Sequence, residues 1–321
     1  MKVKYFDCSV NDYSNRVHNT NSYGPLENDI MRDLGKYAGQ YQFERIYDYK
    51  KAQIIITNTV YPNNILKWAK SNKVPLVKRM DGIYWKNELK HKNDALNLAA
   101  NQSDLVIFIS DYSRDTLKKL YSDIIVKRSV VVLNNVDDTI YYKRNNKNEN
   151  FTMVSSCTNW LRDGKRLDTI IELSKRIDKN DVIKLIGHCD VELPNNIIKC
   201  GYIDNEQEMS NIIGTSDAFL SLFFRDSGSK VTCQAVHCQL PILHVSSGGL
   251  MELVKYSNGI IIDDYYTIDF LDKTPELDLD NVIGGYRDLK TYHKDIIENY
   301  EKRYSYQETI SKYFRLMMDF I

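Results

Sequence analysis

The sequence carries no excess charge of either sign, no closely paired cysteines and no long apolar run, and each absence removes a class of function. Across 321 residues, 43 Lys and Arg are matched by 43 Asp and Glu. A broad nucleic-acid surface would show as a basic balance, so none is expected, and a polyanion would need a local patch. The six cysteines, at 8, 157, 189, 200, 233 and 238, show no C-x-x-C spacing and no His at zinc distance. They read as reduced, mostly buried thiols. The six His show no H-x-x-x-H or H-E pattern, so none stands out as a ligand or catalytic base. No stretch of about eighteen apolar residues occurs, which excludes a spanning helix. The opening Lys2-Val-Lys-Tyr-Phe6 is strand-like, without a charged leader and apolar core. A cytoplasmic protein is therefore expected, with membrane contact at most peripheral. The one basic segment bearing a tryptophan, Leu66 to Lys73, reads as a solvated helix face.

What is present is rhythm. With 43% hydrophobic and 27% charged residues, the chain is able to bury a sizeable core, and its length suggests about two domains. Short apolar runs at Val3 to Phe6, Ile54 to Ile56, Pro75 to Val77, Leu105 to Ile109 and Val130 to Leu133 alternate with amphipathic segments, the pattern of a parallel α/β sheet. Helices are expected over 26–37, 64–72, 93–101 and 112–121, the last with a capped start at Ser110. Residues 143 to 150 carry no apolar side chain and read as an interdomain linker. The rhythm then restarts, with strands expected at 152–155, 183–186, 197–200, 218–222, 242–245 and 259–262 and helices at 165–178, 206–214, 230–238 and 249–255. Three parts follow: domain 1–145, domain 151–286 and a helical tail 287–321, whose second helix starts at the capping-box signature Ser305 and Glu308. Residues 265 to 285 read as an acidic loop, and Asp278-Leu-Asp280 within it reads as solvated rather than as a metal site.

Three separated motifs carry chemistry. Residues 221 to 252 run from a buried strand into Asp226-Ser-Gly-Ser229, a helix from Lys230 and a second strand ending at Ser246-Ser-Gly-Gly249. Two turns at the carboxyl ends of neighbouring strands, one opening a helix, form a phosphate-seeking arrangement. Ser155 to Asp168 places Arg162, Lys165 and Arg166 before a helix. Leu133-Asn-Asn-Val-Asp137 is the third.

Together these motifs resemble the nucleotide-sugar half of glycosyltransferase family 4, retaining enzymes of the GT-B fold, over about residues 130 to 262. The resemblance implies two Rossmann-like domains facing across a cleft. It implies an Asn-Gly-Val-Asp turn at 134–137 with Asn135 in place of the glycine, and a diphosphate-binding lysine at Lys165. The arginine usual near position 159 is Asn159 here, with Arg162 as a substitute candidate. The family's Glu, seven residues, Glu is Asp226 and Gln234 in this chain, facing the donor sugar and the ribose respectively. Exchanging Gln234 for Glu is then expected to keep or improve nucleotide affinity. Ser227, Gly228, Ser229 and Lys230 would offer amides to the phosphates, Gly248 and Gly249 close backbone approach, and Tyr202 a surface for the base.

The first domain would bind the acceptor through Lys78 to Trp85, with Asp81 orienting the acceptor hydroxyl and Arg79, Tyr84 and Trp85 contacting sugar. Gly24-Pro25 would be a reduced form of the family's first glycine-rich loop. The implied activity is metal-independent transfer from a UDP- or GDP-sugar to a hydroxyl of a glycan, glycoprotein or lipid-linked acceptor, with retained configuration and no cofactor. Two other classes stay open: a catalytically weak sugar- or nucleotide-binding module, and another GT-B enzyme such as a nucleotide-sugar epimerase or hydrolase.

Overall fold

The computed structural model describes residues 2–8, 29–145, 148–254, 258–298 and 305–321. Gly24-Pro25 and the start of the 26–37 segment lie outside the described residues. The chain divides into two compact units, Met1–Leu133 with Ile268–Phe270 and Gln307–Ile321, and Asn134–Thr267 with Leu271–Tyr306.

The first unit holds a six-stranded parallel sheet of β1 (Val3–Asp7), β2 (Phe43–Ile46), β3 (Ile54–Thr57), β4 (Leu76–Met80), β5 (Leu105–Phe108) and β6 (Ser129–Val131), in the order β2-β1-β3-β4-β5-β6. Every residue of β3, β4 and β5 is buried, as expected of parallel strands covered on both faces. That burial includes two cations on β4. The Lys78 ammonium donates to the carbonyls of Asn58 (2.6 Å) and Arg79 (2.8 Å), and burial pushes its pKa down to about 7. Helices α1 (Asp29–Tyr37), α2 (Asn63–Asn72), α3 (Lys90–Gln102) and α4 (Asp111–Leu120) fill the crossovers. Ser110 caps α4 as expected, in a reciprocal box with Ser113. Strand β2 was not anticipated: its Phe-Glu-Arg-Ile has only two apolar residues, of which Phe43 alone is buried.

The second unit repeats the architecture with β7 (Thr152–Asn159), β8 (Val182–His188), β9 (Ile197–Gly201), β10 (Ala218–Ser221), β11 (Ile242–Val245) and β12 (Gly259–Ile262). Their order is β12-β11-β10-β7-β8-β9, all parallel. Helices α5 (Leu167–Ser174), α6 (Glu206–Gly214), α7 (Lys230–His237), α8 (Leu250–Leu253) and α9 (Leu279–Glu298) follow. The expected loop over 265–285 ends early, because α9 begins at Leu279. Asp278 takes the backbone N–H of Asp280 on its carboxylate (2.9 Å), so this pair starts a helix. Further along α9, Tyr286 donates to Asp181 (2.5 Å) and Lys290 to Asp181 (2.7 Å). The segment before β7 is held to this unit: Arg144 donates to Ser210 Oγ (3.0 Å) and Asn148 to the Thr215 carbonyl (2.8 Å).

The last helix, α10 (Tyr306–Met318), begins directly after Ser305 and packs in the first unit. There Phe314 meets the rings of Tyr41 and Phe43, each with centroids 4.9 Å away. Among the described residues no helix is long and apolar enough to cross a membrane. None of the six cysteines is joined in a disulfide.

In each sheet the strand order reverses once, between β1 and β3 and between β7 and β10. At such a point the loops leaving the carboxyl ends part in opposite directions and open a crevice for a ligand.

Candidate functional site

The crevice of the second unit is bordered by the loops that follow β7, β10 and β11. The first loop is anchored by Trp160, fully buried, whose indole N–H donates to the Ile186 carbonyl (3.0 Å). Two left-handed residues, Gly164 (φ 89°) and Arg166 (φ 54°), then turn the chain into α5. Lys165 stands between them, half-buried, its Nζ 4.1 Å above the Phe223 ring and 3.7 Å from Asp226 Oδ2. Arg162 is exposed. Arg166 is not: its guanidinium is buried in a bidentate pair with Asp264 (2.8 and 2.7 Å) and also donates to the carbonyls of Leu222 and Pro275.

The loop after β10 is pinned to the first by Phe224 N–H on the Gly164 carbonyl (2.9 Å). Asp226 Oδ1 accepts the Gly228 amide (3.1 Å). Ser229, the N-cap of α7, makes no side-chain cap bond and stands at the positive end of the helix. Asn134 locks this turn from the side, donating to the Gly228 carbonyl (2.6 Å) while its own carbonyl accepts Cys233 Sγ (3.3 Å). Lys230 is half-buried, and burial lowers its pKa to about 8. Ser227 is likewise half-buried.

In the third loop the close backbone approach falls within the protein. A Cβ on Gly248 (φ 88°) would lie 2.5 Å from the Asp226 carbonyl oxygen. The Gly249 N–H donates to that same oxygen (2.8 Å). The two glycines thus seat Asp226.

Gln234, one turn into α7, faces inward. It is 1% exposed, and its amide donates to Tyr141 Oη (2.8 Å). Its Oε1 is buried with no partner among the described residues. Tyr202, half-buried after β9, stacks on the exposed His188 with ring centroids 4.8 Å apart and planes 1° from parallel.

The remaining candidates lie in the first unit, beyond the end of β4. Arg79 is buried, paired with the half-exposed carboxylate of Asp81 and donating through Nε to Tyr313 Oη (3.2 Å). Tyr84 is fixed by a reciprocal pair of bonds with the Asn93 side chain (2.8 and 2.9 Å). Trp85 is half-buried.

The structure therefore brings Lys165, Asp226 to Lys230, Gly248 and Gly249 together in one crevice, with the Asn134 turn behind them. Three residues around it were not singled out from sequence. Asp264 and Arg225 gave no motif signal, since their partners are far away in the chain. His188 was passed over as a lone histidine; its position at the end of a strand, after Gly187, was the available clue.

No protein-family model and no curated protein sequence matches the chain. Solved structures do. The chain is similar to Alr3699/HepE of Anabaena in complex with UDP-glucose (TM-score 0.70, 15% identity, 100% of each chain covered). It is also similar to sucrose-phosphate synthase of Thermosynechococcus elongatus (0.68, 10%, 99% of each) and to the apo lipopolysaccharide outer core galactosyltransferase WaaB (0.67, 12%, 100% of each). At these identities the likeness is one of fold. The chain has the GT-B glycosyltransferase fold, as the sequence motifs implied.

Proposed function

We propose that the protein transfers a sugar from a UDP-sugar to a hydroxyl acceptor. One observation carries the reading: at the switch point of the second unit, Lys165 and Asp226 stand 3.7 Å apart beside the uncapped start of α7. A cation, the positive end of a helix and a carboxylate within one crevice suit a diphosphate and the sugar attached to it. The related Alr3699/HepE structures carry UDP, UDP with glucose, or UDP-glucose, which supports uridine rather than guanosine as the base.

In this reading Lys165 and the amides of Ser229 and Lys230 bind the diphosphate, the Gly228 amide being held by Asp226 Oδ1, with Arg162 exposed to reach its outer oxygens. Asp226 faces the sugar hydroxyls, and the Tyr202–His188 stack offers a flat surface for the base. The bond from the anomeric carbon to the diphosphate breaks as that to the acceptor oxygen forms. The acceptor proton passes to a phosphate oxygen of the donor, and the configuration is retained. Negative charge grows on the diphosphate as it leaves, so a fixed cation and fixed amides act more strongly in the transition state than in the ground state. No metal is required in this scheme. Asp81 in the first unit orients the acceptor, with Tyr84 and Trp85 as its sugar-facing rings. We place Arg166 behind the site rather than in it, since both terminal nitrogens of its buried guanidinium are taken by Asp264 and the carbonyls of Leu222 and Pro275.

Incubation with a panel of UDP-sugars, with and without glycan acceptors, tests this by UDP release. Lys165→Ala should keep its fold and lose about a hundredfold in turnover; a full-rate variant would refute its role. Release that does not depend on acceptor would point to a hydrolase, and binding without release to a nucleotide-binding module.

A further inference from the structure

We infer that Asp264 is a positioning residue for the diphosphate site: one buried carboxylate sets the backbone at Lys165 and at Asp226 together. The inference rests on the reading of those two residues as donor-binding.

Its basis is a coincidence of strain and anchoring. Five non-glycine residues among those described have left-handed backbone: Gln42, Lys73, Arg166, Arg225 and Gln239. Gln42 and Lys73 close helical turns, and Gln239 follows the end of α7. The other two, Arg166 and Arg225, each adjoin a proposed ligand-binding residue, Lys165 and Asp226. A residue with a Cβ holds this conformation only where its surroundings impose it, and the surroundings of both converge on Asp264. Its Oδ1 and Oδ2 take the two prongs of the Arg166 guanidinium (2.7 and 2.8 Å). Oδ2 also accepts Ser247 Oγ–H, and Ser247 Oγ accepts the backbone N–H of Arg225 (3.2 Å). The Asp264 N–H donates to Ser246 Oγ (3.0 Å).

The loops after β7, β10 and β11 are therefore tied to a single group at the end of β12. Side chains of Arg166 and Asp264 are 4% and 1% exposed, so solvent does not loosen the pair. A two-pronged Arg–carboxylate pair also fixes orientation, which a single point contact would not. If the pair is broken, Arg166 is free to relax out of the left-handed region, and Lys165, one peptide away, swings with it.

Asp264→Asn tests this, because it keeps shape and an acceptor for Ser247 while removing the charged pair. In ligand-free protein, hydrogen exchange should quicken in 160–166 and 224–229, with the rest of the second unit little changed. UDP affinity by calorimetry and turnover should each fall at least about tenfold, with acceptor KM near wild type. Asp264→Glu should recover part of both. Should Asp264→Asn fold poorly, Ser247→Ala cuts only the link to Arg225, and quickened exchange at 224–229 with weaker UDP binding is expected. Wild-type exchange and affinity in the folded variants would overturn the inference. Failure of the parent reading looks different: the wild-type protein would not bind UDP, or Lys165→Ala would bind it undiminished, while the exchange measurement still decides the role of Asp264.

Discussion

Exchanging Gln234 for glutamate separates the ribose role implied by family resemblance from the burial seen in the structure. In the family pattern a carboxylate at this position hydrogen-bonds the ribose, so the change would restore affinity. In the fold, Gln234 is 1% exposed, Tyr141 Oη is its amide's partner, and Oε1 has no donor among the described residues. A glutamate there would retain at most the Tyr141 hydroxyl as a donor, against the desolvation of a full charge. Burial of this kind raises a carboxyl pKa by about 3 units from its ordinary 4.3. Folding then favours the protonated form. At pH 5 the folded side chain is neutral and almost isosteric, and the variant should be only about 1 kcal/mol less stable than wild type, because the unfolded carboxyl is already largely ionised. The loss should grow as pH rises towards about 7 and level off near roughly 4 kcal/mol by pH 8. Thermal unfolding of variant and wild type at both pH values is the assay. The gap in Tm should widen by on the order of 10 °C between pH 5 and 8. Equal gaps at the two pH values, together with tighter UDP binding, would refute the burial argument and put this side chain on the ribose.

Two further outcomes follow from the second unit. His244 is 1% exposed on β11, and burial lowers its pKa from 6.5 to about 4. The unfolded chain therefore takes up a proton at 6.5 that the folded chain refuses until about 4, so stability should fall by roughly 3 kcal/mol as pH drops across that window. A His244→Asn variant should lack this step in urea titrations at stepped pH. On α9, a Cβ at Gly284 meets nothing within 4 Å, whereas one at Gly285 falls 2.4 Å from Ile262 Cδ1 and 2.7 Å from Leu243 Cδ1. Gly284→Ala should raise stability by about 0.5–1 kcal/mol through helix propensity, and Gly285→Ala should lower it. The reverse order of Tm would show that the α9 contact with the sheet is misjudged.

Much of the architecture was legible because parallel strands covered on both faces are apolar throughout. β3, β5 and β11 stand out as short Ile-, Val- and Leu-rich runs, β10 opens the apolar run Ala218 to Phe224, and β12 falls at 259–262 as expected. β2 escaped because its edge position buries only Phe43. The start of α9 escaped because it lies in an acidic stretch without periodicity, and its place is set by contacts to distant residues, Gly285 against Ile262 and Tyr286 on Asp181. Lys165 and Asp226 were readable from motif spacing, since each follows a strand end where a ligand site would be sought.

Local order alone, then, specified two α/β units and which loops carry cations, carboxylates and helix starts. Hydrophobic periodicity, turn residues and helix starts are short-range properties, and they survive in a single line of sequence. The tertiary structure decided which of those side chains are available. Arg166, one residue from Lys165 and equally basic, is withdrawn by Asp264, 98 positions along the chain. Gln234 is turned inward to Tyr141, 93 positions away. Whether a charge faces a ligand or a buried partner depends on which distant segment packs beside it, and spacing within a motif carries no record of that.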